Sequence, residues 1–169
     1  NDNIAFHFDP FNDRTNSFFF GTNPLGVKRE ALVSNGGNNW RRDSNLSWDI
    51  KWETVTKQYD GYTLTEAKIP LAFLNYPDGS SLWGFNMYRF DTQTNERSSW
   101  GQVPQNQSVV NLAFMGDLQF EKPLPKSKIP WAFIPFVAGI NANDFENNDQ
   151  FSSLSFGGDI KVPINNGLN

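Results

Sequence analysis

Glu66, Arg89 and Glu96 are charged residues set inside, or just beyond, runs that otherwise read as sheet. In strand alternation Glu66 shares a face with Tyr62, Leu64 and Lys68, and Arg89 shares one with Trp83, Phe85 and Met87. A charge on a mostly apolar face must find a partner, because an unpaired buried charge is very costly. The first reading is therefore structural: Arg89 bridges Glu66 or Glu96 inside the fold. The second is that Arg89 and a carboxylate hydrogen-bond sugar hydroxyls at the edge of a cleft. A third, glycoside hydrolysis, needs two carboxyls ~5–10 Å apart across the scissile bond, one with a raised pKa. Sequence spacing does not supply that distance, so catalysis comes last.

Asp2, Asp9, Asn12 and Asp13 gather oxygen donors around one corner. Calcium takes about 6–8 oxygens and suits such turns. The spacing is not that of an EF-hand loop, and Asx side chains also cap turns without metal. His7 is the only histidine and lies on an alternating stretch with no nucleophile motif around it, as expected for an edge-strand residue. Among the six Trp, Trp48 and Trp52 alternate with polar residues and read as core. Trp40, in an Asn/Gly-rich loop, and Trp100, in a polar loop, are the better stacking candidates for a ligand.

The elements that must carry these residues are strands. Period-2 alternation recurs, with turn residues between runs and almost no helical periodicity, so the chain reads as all-β and antiparallel. Ile4, Phe6 and Phe8 point one way, and Ala5, His7 and Asp9 the other. Residues 18–22 form a second strand, 26–45 a loop, and 48–54 an amphipathic strand. Asp60-Gly61 is a hairpin signal, after which 62–69 pairs back and Pro70 ends the run. A single helical turn is expected at 71–75 and a turn at Asp78-Gly79, leading into a strand at 82–90. Residues 92–107 are polar with one Trp, and 112–120 form the last strand before a Pro/Lys-rich linker at 122–128.

After the linker the texture changes. Residues 129–140 are apolar and aromatic, 141–150 a polar turn, and 151–162 alternate again. Each run has about the ~9–11 residues of a tilted membrane strand, and Trp131, Phe133 and Phe136 suit an interfacial girdle. A soluble hairpin packed on the preceding domain is the other reading, left open by Gly157-Gly158 and Pro163.

Composition narrows the function classes. A net charge of −4 with no basic stripe argues against nucleic acid. Cysteine is absent, which removes disulfides, thiol nucleophiles and zinc–thiolate sites. No run approaches the ~20 apolar residues of a membrane helix. There is no initiator Met and no signal-like segment, so any signal peptide is expected to be cleaved or to lie outside this stretch. Aromatics make up 15% of the chain, with 16 Phe, and supply flat faces for sugars or a girdle for lipid.

Two phrases carry a family resemblance. One is Gly61-Tyr62-Thr63-Leu64-Thr65-Glu66-Ala67-Lys68-Ile69-Pro70. The other is Trp83-Gly84-Phe85-Asn86-Met87-Tyr88-Arg89, followed by Asn95-Glu96 and Trp100. With Asp9-Pro10-Phe11-Asn12-Asp13 and Asn23-Pro24-Leu25-Gly26-Val27 upstream, residues 2–121 resemble the later part of a carbohydrate-binding module of family 9, in the variant found ahead of Bacteroidota outer-membrane β-barrels. The resemblance implies an antiparallel β-sandwich over 1–121 that lacks its N-terminal strands, a linker at 122–128, and the opening strands of an outer-membrane barrel over 129–169. It implies a non-catalytic role: glycan binding, with ligand contacts from Trp40, Trp100, Arg89, Glu66 and Glu96, or docking onto a neighbouring envelope protein. In that family two aromatic side chains sandwich a terminal sugar. The alternative is an interaction or plug domain of an envelope transport or secretion complex that binds no sugar. The implied setting is the outer membrane, with the sandwich facing either the periplasm or the surface. No cofactor is required beyond the calcium considered for Asp2, Asp9, Asn12 and Asp13.

Overall fold

A computed structural model describes residues 2–126, 132–144 and 149–161. It divides into two compact units, Asn1–Ser127 and Lys128–Asn169. The described residues are mostly strand, the sheets are antiparallel, and no closed barrel forms among them.

The first unit is built on one sheet. Its strands are β1 (Asn3–Asp9), β2 (Ser17–Thr22), β3 (Lys28–Val33), β4 (Ser44–Asn45), β7 (Leu82–Asp91), β8 (Glu96–Ser99) and β9 (Gly116–Gln119). A separate hairpin joins β5 (Glu53–Tyr59) to β6 (Tyr62–Lys68). The sheet runs β4-β3-β2-β1-β7-β8, and β9 also pairs with β7. β8 and β9 hold opposite ends of β7, opposite residues 88–91 and 82–85 respectively.

The alternation expected along β1 is present, but both of its faces are buried. Phe6 and Phe8 pack toward a cluster of Phe20, Trp52, Leu74, Tyr76 and Trp83. Ala5, on the other face, joins Phe19, Ala31, Val33, Leu112 and Met115. His7 and Asp9 are buried on that second face as well. The sheet is thus a middle layer. The first cluster is closed by Trp48, Ile50, Ile69, Leu71 and Phe120, and the second by Trp40. Trp40 opens the one-turn helix α1 (Trp40–Asp43), whose first N–H groups are capped by the Asn39 side chain.

Several local expectations change. The stretch 26–45 is not a single loop: it holds β3, α1 and β4. The charges of β3 sit at its start, where Lys28 Nζ donates to the Trp52 carbonyl at 2.8 Å and Glu30 accepts from Trp52 Nε1 at 3.0 Å. Residues 48–52 alternate but form no ladder, and pairing begins only at Glu53. Residues 112–114 are a helical turn and not strand, while the polar stretch 92–107 contains β8. His7 lies on a central strand, between β2 and β7, and not at an edge. Within the stretch expected as linker, Leu124 N–H donates to the Ser80 carbonyl at 2.8 Å and the Tyr76 hydroxyl donates to that of Pro125 at 3.0 Å.

The second unit is a long hairpin of β10 (Ala132–Asp144) and β11 (Asp149–Lys161), paired in continuous register from Ala132↔Lys161 to Asp144↔Asp149. Trp131, Val162 and Pro163 lie outside the described residues. Among residues 133–142 and 150–160 every side chain except Ser153 is exposed.

Candidate functional site

The first unit has an open cleft of about 790 Å³ between the end of the sheet and the β5–β6 hairpin. The sheet contributes Ile4, Thr22 and Arg89, which the register places side by side on one face. The hairpin contributes Thr56, Gln58, Thr63 and Thr65. These four also share a face, since Thr56 pairs with Thr65 and Gln58 with Thr63. The two threonine hydroxyls hydrogen-bond across the strands at 3.1 Å. At the hairpin mouth Tyr59 and Tyr62 stack, with centroids 4.9 Å apart and planes 13° from parallel. Gly61, at φ 80°, makes the tight turn that brings them together. Both tyrosines are largely exposed.

The rim of the cleft is held in place by its own hydrogen bonds. The Asp2 carboxylate accepts from the Thr92 N–H at 3.0 Å and from its hydroxyl at 2.8 Å. Those bonds hold its pKa below the usual carboxylate value. Arg89 donates to Asp91 at 2.8 Å and remains more than half exposed. Asp2 is the one carboxylate among the lining residues, and no histidine or serine joins it. The surface is therefore a set of hydroxyls, amides and one guanidinium beside a phenol pair.

The residues expected to act together are dispersed. Glu66 pairs with Val55 on the hairpin face that also carries Tyr59 and Tyr62, and unlike those two it is not among the cleft-lining residues. Glu96 is exposed on β8, opposite Asp91. Arg89 bridges neither glutamate, because Asp91, two residues on, already meets it. Trp40 is half-buried against Phe19, centroids 4.7 Å apart, and lines a different groove. Trp100 is 53% exposed, leans on Phe85 at 5.6 Å and covers Gly116, where any Cβ would strike the indole. It lines neither cleft. Of the five expected ligand contacts, only Arg89 is in the main cleft. Tyr59, Tyr62 and the Thr/Gln face were missed. The signal for the Thr/Gln face was present in the alternation of Thr54, Thr56 and Gln58 against Thr63 and Thr65, and that for the tyrosines in their position either side of the Asp60-Gly61 turn.

The calcium set also separates. Asp2 and Asp9 lie at opposite ends of β1, about 23 Å apart at ~3.3 Å per residue, so they cannot share one ion. The other three residues stabilise a turn. Asp9 accepts from the Arg14 N–H at 2.8 Å and Asp13 from the Thr15 N–H at 2.8 Å, while Asn12 and Arg14 adopt φ of 53° and 61°. Arg14 lies across Gly84 and donates to Asp117 at 3.0 Å. Burial pushes the Asp9 pKa up, partly offset by the Arg14 N–H. Among the described residues no group of three or more histidines or carboxylates is placed to hold a metal.

His7 is fully buried between Phe19, edge-on at 4.8 Å, and Tyr88 at 5.9 Å. Neither ring nitrogen has a hydrogen-bond partner among the described residues. Burial pulls its pKa down to about 3, so the ring is neutral at physiological pH.

Comparison with known proteins adds no family: no family model, curated protein or solved structure matches this chain.

Proposed function

We propose that the first unit is a non-catalytic glycan-binding domain, similar to a carbohydrate-binding module of family 9, and that the β10–β11 hairpin belongs to the outer-membrane β-barrel that carries it. The observation that carries the binding reading is the cleft. Its volume of about 790 Å³ lies in the ~300–1,000 Å³ range of ligand sites. Hydroxyls and amides from Thr56, Gln58, Thr63 and Thr65 match the donors and acceptors of a polyol. The Tyr59–Tyr62 pair offers flat apolar faces to sugar C–H groups. A hydrolase would need two facing carboxyls, and the lining offers Asp2 alone, already committed to Thr92. The β5–β6 hairpin, a sheet of its own, closes one side of the cleft.

The barrel reading is supported by the two unlike faces of the second hairpin. One carries the rows Phe133/Ile160, Pro135/Gly158, Val137/Phe156 and Gly139/Leu154. That apolar stretch runs about 20 Å at ~3.3 Å per residue, close to the ~25 Å lipid band of outer-membrane barrels. The other face mixes Ile134, Phe136 and Ile140 with Asp159, Ser155 and Ser153, as a lumen face does. Neighbouring strands of a barrel would satisfy both free edges. Among the described residues no helix is long and apolar enough to cross a membrane.

Glycan-array binding by the full chain in detergent, with Tyr62→Ala beside wild type, tests this reading. Binding of a neutral oligosaccharide without turnover, weakened roughly 5–30-fold in Tyr62→Ala, is expected on the basis that such a ring contact contributes about 1–2 kcal/mol. Reducing-sugar release, or binding that Tyr62→Ala leaves intact, contradicts it.

A further inference from the structure

A second groove, of about 270 Å³, opens on the other face of the same sheet. Trp40, Tyr88 and Phe90 supply its aromatic lining, and Arg29 and Arg97 its charge. Arg29 comes from β3 and Arg97 from β8, so strands from the two sides of β1 converge there. The chain is acidic overall, and Arg14, Arg42 and Arg89 each hold an aspartate at 3.0, 2.9 and 2.8 Å. Arg29 and Arg97 hold no carboxylate among the described residues. Arg97 instead lies over the Phe90 ring, 5.4 Å from its centroid. Both guanidiniums act on the Tyr88 phenol, whose pKa burial nevertheless drives up to about 12. Tyr88 therefore stays protonated, a phenol lining a positive groove.

We propose that this groove is a subsite for an acidic sugar, with Arg29 and Arg97 taking the carboxylate of a uronic-acid ring and Trp40 lying against the ring's apolar face. Two forked guanidiniums suit a planar carboxylate, and a positive pair with no internal counter-ion calls for an external one. The aromatic lining selects an anion that carries a ring over a bare ion. The groove is distinct from the Tyr59–Tyr62 cleft: Asn3 is their single shared lining residue, and Trp40, Tyr88 and both arginines line the groove and not the cleft.

The test is calorimetric titration of the full chain in detergent with a galacturonate trisaccharide, the neutral galactose trisaccharide and inorganic phosphate. Arg29→Gln, Arg97→Gln and Tyr62→Ala are titrated alongside; both arginines are exposed, and the fold is checked by the melting curve. The expected result has three parts. The uronate binds with an affinity that falls as salt rises, and at least ~10-fold more tightly than the other two ligands. Each arginine variant loses at least ~10-fold for the uronate alone. Tyr62→Ala leaves uronate binding unchanged, which separates this site from the main cleft. Equal binding of phosphate and uronate, uronate binding indifferent to both arginine variants, or no uronate binding by the wild type overturns the proposal.

Discussion

Two regions of this protein are equally rich in aromatic and branched residues and use them in opposite ways. In the first unit the central sheet is covered on both faces, and Phe20, Trp52 and Trp83 retain 0–1% of their surface. In the β10–β11 hairpin, Phe133, Val137, Leu154 and Phe156 are each 63–73% exposed. The difference lies in what surrounds each ladder. The first unit draws covering groups from 40, 48–52, 69–76 and 110–124, far apart in sequence, and needs no other solvent. The hairpin has only itself, and a two-stranded hairpin is marginal in water. A long apolar face left open on such an element calls for lipid or for more strands.

The largest expected effect breaks the first half of that contrast. Trp83→Ala should destabilise the first unit by about 3–5 kcal/mol, whereas Phe156→Ala should leave its melting unchanged; calorimetry of the full chain in detergent separates the two. Next in size is a test of the two hairpin faces. On the barrel reading, Val137→Arg should cost about 2–4 kcal/mol near a bilayer midplane, and Ser155→Arg on the other face much less; denaturant titration in vesicles reads both.

How much of this was legible in sequence depends on where the determinants sit. Turns that rest on one or two residues, Asp60-Gly61 and Asp78-Gly79, were readable, as was the alternation of β1. That both faces of β1 are covered was not readable, because the cover over His7 and Ala5 comes from Trp40 and Leu112, fixed only by tertiary packing. β3 was hidden by Lys28, Arg29 and Glu30, whose charges reach out to Trp52 and to solvent while Ala31 and Val33 pack inward. Residues 48–52 show the converse error: perfect alternation, yet their side chains fill a core without any strand pairing. Of the five expected ligand contacts, one lines the candidate cleft. Arg89 was identified, but its expected partners failed for a local reason, since Asp91 lies on the same strand face and meets it first.

A third prediction concerns the buried imidazole. The His7 pKa falls from 6.5 unfolded to about 3 folded, so below pH 6.5 the unfolded chain binds a proton that the native state refuses. This residue should therefore cost about 2 kcal/mol of stability between pH 7 and pH 5. His7→Leu should remove that part of the pH dependence, and denaturant midpoints measured at pH 7 and pH 5 check it. The smallest effect is at Arg89. Its exposed pair with Asp91 gives Arg89→Ala a cost below ~1 kcal/mol, in contrast to the ~3–5 kcal/mol of a broken buried pair.

The absence of native cysteine allows the central contrast to be tested directly. Single substitutions Val137→Cys and Ser155→Cys, in the full chain assembled into vesicles, can each be exposed to a membrane-impermeant, water-soluble maleimide. The two positions are neighbours in the ladder but on opposite faces of the hairpin. A lipid-facing apolar row predicts that the thiol at 137 is protected and the one at 155 labels, with both labelling after unfolding. Equal labelling at the two positions in intact vesicles would contradict a membrane-embedded hairpin.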